Sequence, residues 1–161
     1  MRTCGKCWLN LWRVSSKNSY VFKDCRHSIH MAFTPLSIAA QIGDVQDVLT
    51  LLEVGADINA CNHIGWTPLY MAAGNGHDEV VKALLTVNVD IDKVDDIGWT
   101  PLLKAIEYGH ETTVRILIDA GANINHISHS GMTPLSNAKL KGWDTILQML
   151  LEAGADTDLR I

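Results

Sequence analysis

Histidine, cysteine and acidic side chains are the residues here that can move protons, attack carbonyls or hold metals, and their spacing decides which chemistry is open to them. Cys4-x-x-Cys7, followed by Cys25 and His27, has the donor types of a zinc site. One C-x-x-C without a matched second pair is a weak signal for it. Cys4 and Cys7 also stand beside basic residues, a setting that suits acylation. His77 and His110 each follow a glycine and are 33 residues apart, a regularity expected of a capping position in a structural unit. His63, His126 and His129 fall in loop-like sequence, without partners at ligand spacing on one helix face. There is no Gly-rich phosphate loop, no His-Glu-x-x-His and no nucleophile elbow. We therefore assign no catalytic residue, metal or cofactor, and expect a chain that is not an enzyme.

Composition narrows the remaining classes. The 161 residues are 47% hydrophobic and 19% charged, the balance of a globular protein with one continuous core. The net charge of −5 is unevenly spread: residues 1–30 carry six Lys or Arg against Asp24 alone, leaving −10 on residues 31–161. An acidic body repels phosphate backbones, which argues against nucleic acid as its partner. No apolar run approaches the roughly 20 residues that cross a bilayer, so no membrane association is expected. MRTCGKCWLNLWRV is interrupted by Asn10 and Arg13, unlike a secretory leader, which points to a cytoplasmic or nuclear location. The four cysteines, few and unevenly placed, do not read as a disulfide framework.

The elements that position these side chains emerge from self-similarity. Thr-Pro-Leu begins at Thr34, Thr67, Thr100 and Thr133, a step of 33 residues each time. The same step relates Gly43, Gly76, Gly109 and Gly142, and Gly55-Ala56, Gly121-Ala122 and Gly154-Ala155, with Asn88-Val89 where the second unit should have Gly-Ala. Four units follow, about 30–62, 63–95, 96–128 and 129–161, preceded by a segment 1–29. Within a unit, Thr suits a helix N-cap and Pro the first helical position, predicting a short helix such as Pro68 to Asn75 that stops at Gly76. A second helix, about His77 to Thr86, places Val80, Val81, Leu84 and Leu85 on one face. It should end in a left-handed residue at the Gly-Ala position, a conformation that Asn88 tolerates better than other non-glycine residues. The stretch VDIDKVDDIGW reads as an extended arm with a turn at its tip. Helices of this length are marginal alone. Leu36, Leu69, Leu102 and Leu135, with Ala39, Ala40, Ala72, Ala73, Ala105 and Ala138, are expected to form a core shared between neighbours.

The pattern G-x-T-P-L-x-x-A-A-x-x-G-H-x-x-V-V-x-x-L-L, then G-A-D-I-N, resembles the ankyrin repeat over residues 30–161. The resemblance implies an all-α solenoid of helix-loop-helix units with projecting β-hairpin-like loops. Departures are local: ankyrin units usually carry His after Pro-Leu, where this chain has Ser37, Tyr70, Leu103 and Ser136, and Trp143 replaces His in the last unit. The resemblance further implies a non-catalytic interaction module or scaffold that holds another protein on its concave face, through loop tips and first-helix positions. Carried over residue by residue, that face comprises Phe33 with Gln41 and Ile42; His63, Ile64 and Trp66 with Asn75; Asp96, Ile97 and Trp99 with Glu107 and Tyr108; and His129, Ser130 and Met132 with Lys141. A regulatory inhibitor or targeting subunit of an enzyme is the alternative.

Two readings of Trp66 and Trp99 stand side by side. Either they lean on adjacent loops and stiffen the row, or they are partly exposed anchors for a partner. Asp95-Asp96 would steer toward a basic or mixed partner surface. Asn59 and Asn125 resemble loop asparagines that an asparaginyl hydroxylase modifies in ankyrin proteins, though hydrogen bonding within the loop is their ordinary role. Residues 1–29 read as disordered or as a cap on the first unit through Leu9, Leu11, Trp12 and Val14. The apolar final helix, Asp144 to Ala153, suggests self-association or further repeats.

Overall fold

The computed structural model describes residues 33–157. The zinc, acylation and capping readings of residues 1–29 lie outside them. Eight helices follow in order: α1 (Pro35–Ile42), α2 (Val45–Glu53), α3 (Pro68–Asn75), α4 (Asp78–Leu85), α5 (Pro101–Glu107), α6 (Glu111–Asp119), α7 (Pro134–Lys141) and α8 (Asp144–Glu152). Each odd-numbered helix packs on the next odd one and each even on the next even, giving a first-helix row and a second-helix row that pair within every unit.

Local chemistry sets these boundaries. Thr34, Thr67, Thr100 and Thr133 are extended N-caps whose hydroxyls accept from the N–H three residues on, with Pro at the first helical position. Such a cap stabilises a helix by about 1 kcal/mol. Glycines 43, 76 and 142 end α1, α3 and α7 in the left-handed conformation. Leu36, Leu69 and Leu102 are fully buried together with Ala39, Ala72, Ala105 and Ala138. Each such leucine contributes about 1.5–3 kcal/mol. Leu135, expected in the same core, is only half-buried in the last described unit.

Among the described residues the projecting loops form no strand, yet they bond as hairpins do. The N–H groups of Asn62, Asp95 and Ser128 donate to the carbonyls of Trp66, Trp99 and Met132, closing each tip. Asp96 N–H reaches Ile64 O and His129 N–H reaches Ile97 O, both at 3.2 Å, which links successive loops. A side-chain ladder reinforces this: Asn59, Asp92 and Asn125 accept through Oδ1 from the N–H of Asp90, Asn123 and Asp156, each at 2.9 Å.

Two sequence expectations need correction. His77 and His110 stand at the N-cap of α4 and α6 but make no side-chain cap. Their rings reach back one unit instead, with Nε2–H donating to Gln41 O at 3.0 Å and Gly74 O at 3.1 Å. A carbonyl only accepts, which fixes the tautomer. The rings lie against Gly43 and Gly76, where a Cβ would approach His77 to 2.7 Å and His110 to 2.6 Å, and Trp143 lies on Gly109 in the same way. The second correction concerns Asn88. In three units the alanine N–H after the glycine closes back onto the helix, from Ala56 to Leu51 O, Ala122 to Leu117 O and Ala155 to Leu150 O. In the second unit Val89 N–H bonds Val87 O at 2.7 Å instead, so a tight turn replaces the left-handed closure.

The ring socket generates a stability prediction. Gly121 has φ +88 and open space around a Cβ, so Gly121→Ala should cost only the left-handed strain, about 1–2 kcal/mol. Gly76→Ala should cost about 1–3 kcal/mol more, because the added methyl meets the His110 ring. Urea denaturation of both, of His110→Ala and of Gly76→Ala combined with His110→Ala checks this: in the His110→Ala background Gly76→Ala should cost no more than Gly121→Ala does in the wild type.

Candidate functional site

The first-helix row and the loop tips share one aromatic cluster, built from three successive units. Trp66 sits two residues before Pro68 and four before Tyr70, so the turn entering α3 brings the two rings face to face. They stack at 5.7 Å with an interplanar angle of 18°. Phe33, one unit earlier, meets Trp66 at 6.5 Å. From the following unit, Lys104 on α5 extends its ammonium over Trp66 at 5.4 Å, Tyr70 at 5.4 Å and Tyr108 at 5.0 Å. Its stem crosses Gly74, where a Cβ would come within 2.9 Å of Lys104 Cγ. Trp66 is thus half-buried and held by rings on both sides, while Tyr108 at the end of α5 remains 56% exposed. Tyr108 in turn lies 6.2 Å from the His110 ring.

Tyr70 anchors this cluster to the next loop. Its hydroxyl donates to Asp95 Oδ2 at 2.7 Å, while Asp95 Oδ1 accepts from the N–H of Ile97 and Trp99. Burial first, then the hydrogen bond to Asp95 and its charge, hold the Tyr70 phenol far above the ordinary tyrosine range. Asp95 is therefore a buried turn residue, and of the expected acidic pair only Asp96 faces outward. The equivalent positions show why these residues go together. In the unit before, Ser37 is too short to reach across, and Asn62 Nδ2 is left buried without a partner among the described residues. In the unit after, Leu103 offers no hydroxyl and Ser128 needs none, since its Oγ accepts from Met132 N–H and pairs with Ser130 Oγ at 3.0 Å.

The remaining candidates scatter along this face. Ile42 and Ile97 are 60% and 55% exposed, and Asn75, exposed, donates to Met71 O at 2.8 Å. Ile64, Trp99 and Met132 are half-buried, and the Met132 sulfur accepts from Ser136 Oγ. His63 and His129 are exposed, with the His129 ring lying against Gly98. His126 donates through Nε2 to Gly98 O at 2.8 Å. Glu107 and Lys141, both assigned to partner contact, form an ion pair with each other across the last two units. Asn59 and Asn125 use their Oδ1 atoms in the loop ladder described above.

Sequence comparison fits this architecture. The family model described as ankyrin repeats in three copies matches residues 18–95, 36–128 and 83–161. The chain belongs to the ankyrin-repeat family. No curated protein matches it. Ankyrin repeats are in general protein–protein interaction modules and are typically not catalytic. In ankyrin terms, Tyr70 occupies the position where the family usually has His, and it still ties the first helix to a neighbouring loop. No described helix is long and apolar enough to cross a membrane.

The Tyr70–Asp95 contact predicts a pH-dependent loss. A phenol held protonated in the folded chain stabilises it below its unfolded value, and this contribution is lost as pH rises beyond about 10. Tyr70→Phe should lower stability at neutral pH by about 1.5–3 kcal/mol by stripping Asp95 of a donor. It should also flatten the fall in stability at alkaline pH. Urea denaturation of both proteins at neutral and alkaline pH measures the two effects together.

Proposed function

We propose that this ankyrin-repeat chain is a non-catalytic scaffold that binds a partner protein along its first-helix and loop-tip face. The observation that carries the reading is the Phe33–Trp66–Tyr70 ring cluster with Lys104 and Tyr108. Aromatic side chains dominate interface hot spots, and a rigid ring loses little freedom when a partner covers it. Trp66 is stacked on Tyr70 and met by the tilted Phe33 ring on its other side, and so is already ordered, while Tyr108, Ile42 and Ile97 supply exposed apolar area around it. Trp66 thus combines both readings of its role: it stiffens the row and, through that stiffness, presents a fixed edge. Trp99 has no ring contact among the described residues and serves the face only through its loop. Modification of Asn59 or Asn125 by an asparaginyl hydroxylase belongs to the same proposal as a secondary feature. Their amides already carry the loop ladder, so their structural role does not depend on it.

The test is quantitative capture from cell lysate with wild type and two folded variants. Tyr108→Ala combined with Ile42→Glu alters the proposed face, and Leu49→Glu combined with Arg115→Glu alters the second-helix row. Partners should be lost from the first variant and retained by the second. The reverse result would move the binding face to the second helices. Adding the wild-type chain to a captured enzyme then separates a scaffold, which leaves its activity unchanged, from an inhibitor, which lowers it.

A further inference from the structure

Lys104 is more ordered than packing of the units requires. Its stem crosses α3 at Gly74, the one place on that helix surface where the missing side chain makes room. A helical glycine costs about 0.5–1 kcal/mol relative to alanine, so the passage is maintained against local preference. Three rings then face the ammonium. Ring faces attract a cation but do not satisfy its N–H donors as an oxygen does. Of the other described lysines, Lys82 pairs with Glu79, Lys141 with Glu107, and Lys93 donates to Asn59 O at 3.0 Å, while Lys139 stands exposed on α7 away from the three rings. Among the described residues Lys104 makes no such hydrogen bond or ion pair.

The distribution of charge gives this ammonium a direction. The first helices carry Lys104, Lys139 and Lys141 against Glu107 alone. The second helices carry Lys82 and Arg115 against eight carboxylates, from Asp47 to Glu152. The first-helix row is therefore the positive strip of an acidic body. A negatively charged segment is repelled by the second helices and the loop acids and attracted to this strip.

We propose that Lys104 is an anchor for a carboxylate: an Asp or Glu side chain of a partner segment that lies along the first-helix row, its apolar neighbours resting on Trp66 and Tyr108. This rests on the scaffold reading above and names the chemistry of the partner. A single ammonium without an arginine fork suits one carboxylate, and the charge of the surrounding body disfavours a polyphosphate.

The experiment selects binding peptides from a random phage-displayed library on the immobilised chain and measures them by fluorescence anisotropy. Enriched peptides should carry an Asp or Glu beside apolar residues. Lys104→Met keeps the stem across Gly74 and removes the charge; it should weaken binding about tenfold or more, while Lys104→Arg retains it. Replacing the peptide acid by its amide should weaken binding to wild type similarly and leave binding to Lys104→Met unchanged. Thermal unfolding shows whether the Met variant is folded, and the Arg variant with the amide peptide carries the same comparison where it is not. Enriched peptides without an acid, or an amide effect equal in wild type and Lys104→Met, overturn the anchor while Tyr108→Ala still weakening them preserves the face. Peptides indifferent to Tyr108→Ala and Ile42→Glu, or a selection that enriches nothing, overturn both.

Discussion

A glycine in one unit leaves a space, and a ring from the next unit fills it. This contact sets the distance between neighbours throughout the array, because the His77 and His110 rings both pack into the space and bond to a carbonyl of the preceding unit. A solenoid has no long-range contacts to fall back on, so its rigidity is the sum of such nearest-neighbour terms. Trp143 shows that the space is the more permissive half of the arrangement, since a larger ring occupies the same position against Gly109. The loop ladder at the far side of each unit repeats the logic with Asn and Asp accepting from backbone N–H groups. Helix stack and loops are therefore registered independently at two places.

Much of this was legible in the amino-acid sequence, because a repeat writes the same instruction four times. Thr-Pro at a step of 33 residues determined the start of every first helix, and glycine determined the end of most. What escaped was whatever depends on contact between units. The histidines read as caps because they stand at helix starts, yet their bonds run to residues 36 positions away. Asn88 read as a left-handed stop because local preference allows it, whereas Val87 offered a tighter turn. Asp95 looked like an outward-facing loop acid for the same reason, since its partner Tyr70 lies 25 residues away, and the bond of His126 to Gly98, 28 residues away, left no local mark either.

The aromatic face was half visible. Its register followed from the family resemblance, but no periodicity marks Lys104, which is a single departure at a position occupied by Ile38, Met71 and Asn137 in the other units. Gly74 was the available signal, a glycine inside a helix where nothing turns. Buried polar positions that change together between units carried a second signal. Tyr70 goes with Asp95 and Leu103 with Ser128, while Ser37 with Asn62 leaves an amide stranded. An unpaired buried amide of that kind costs about 1–3 kcal/mol, so the first described unit is the less settled neighbour of the cluster.

The position of the cluster along the array follows from the same accounting. Among the described units the two middle ones are packed on both sides, and local opening begins where neighbours are fewest. Lys104, Tyr70 and Tyr108 meet at the junction of the two middle units, which also holds Thr113 Oγ1 to Asp78 at 2.5 Å and the Asp96 to Ile64 loop bond. Loss of the first unit would remove Phe33 yet leave the three rings around the ammonium in place. At Gly74 the two functions converge on one residue. Its carbonyl accepts from the His110 ring and fixes the spacing of the units, and its missing side chain lets Lys104 cross between them. A side chain at that position would have to displace the lysine but would leave the carbonyl in place, so the missing Cβ governs the lysine's passage and the backbone governs the spacing.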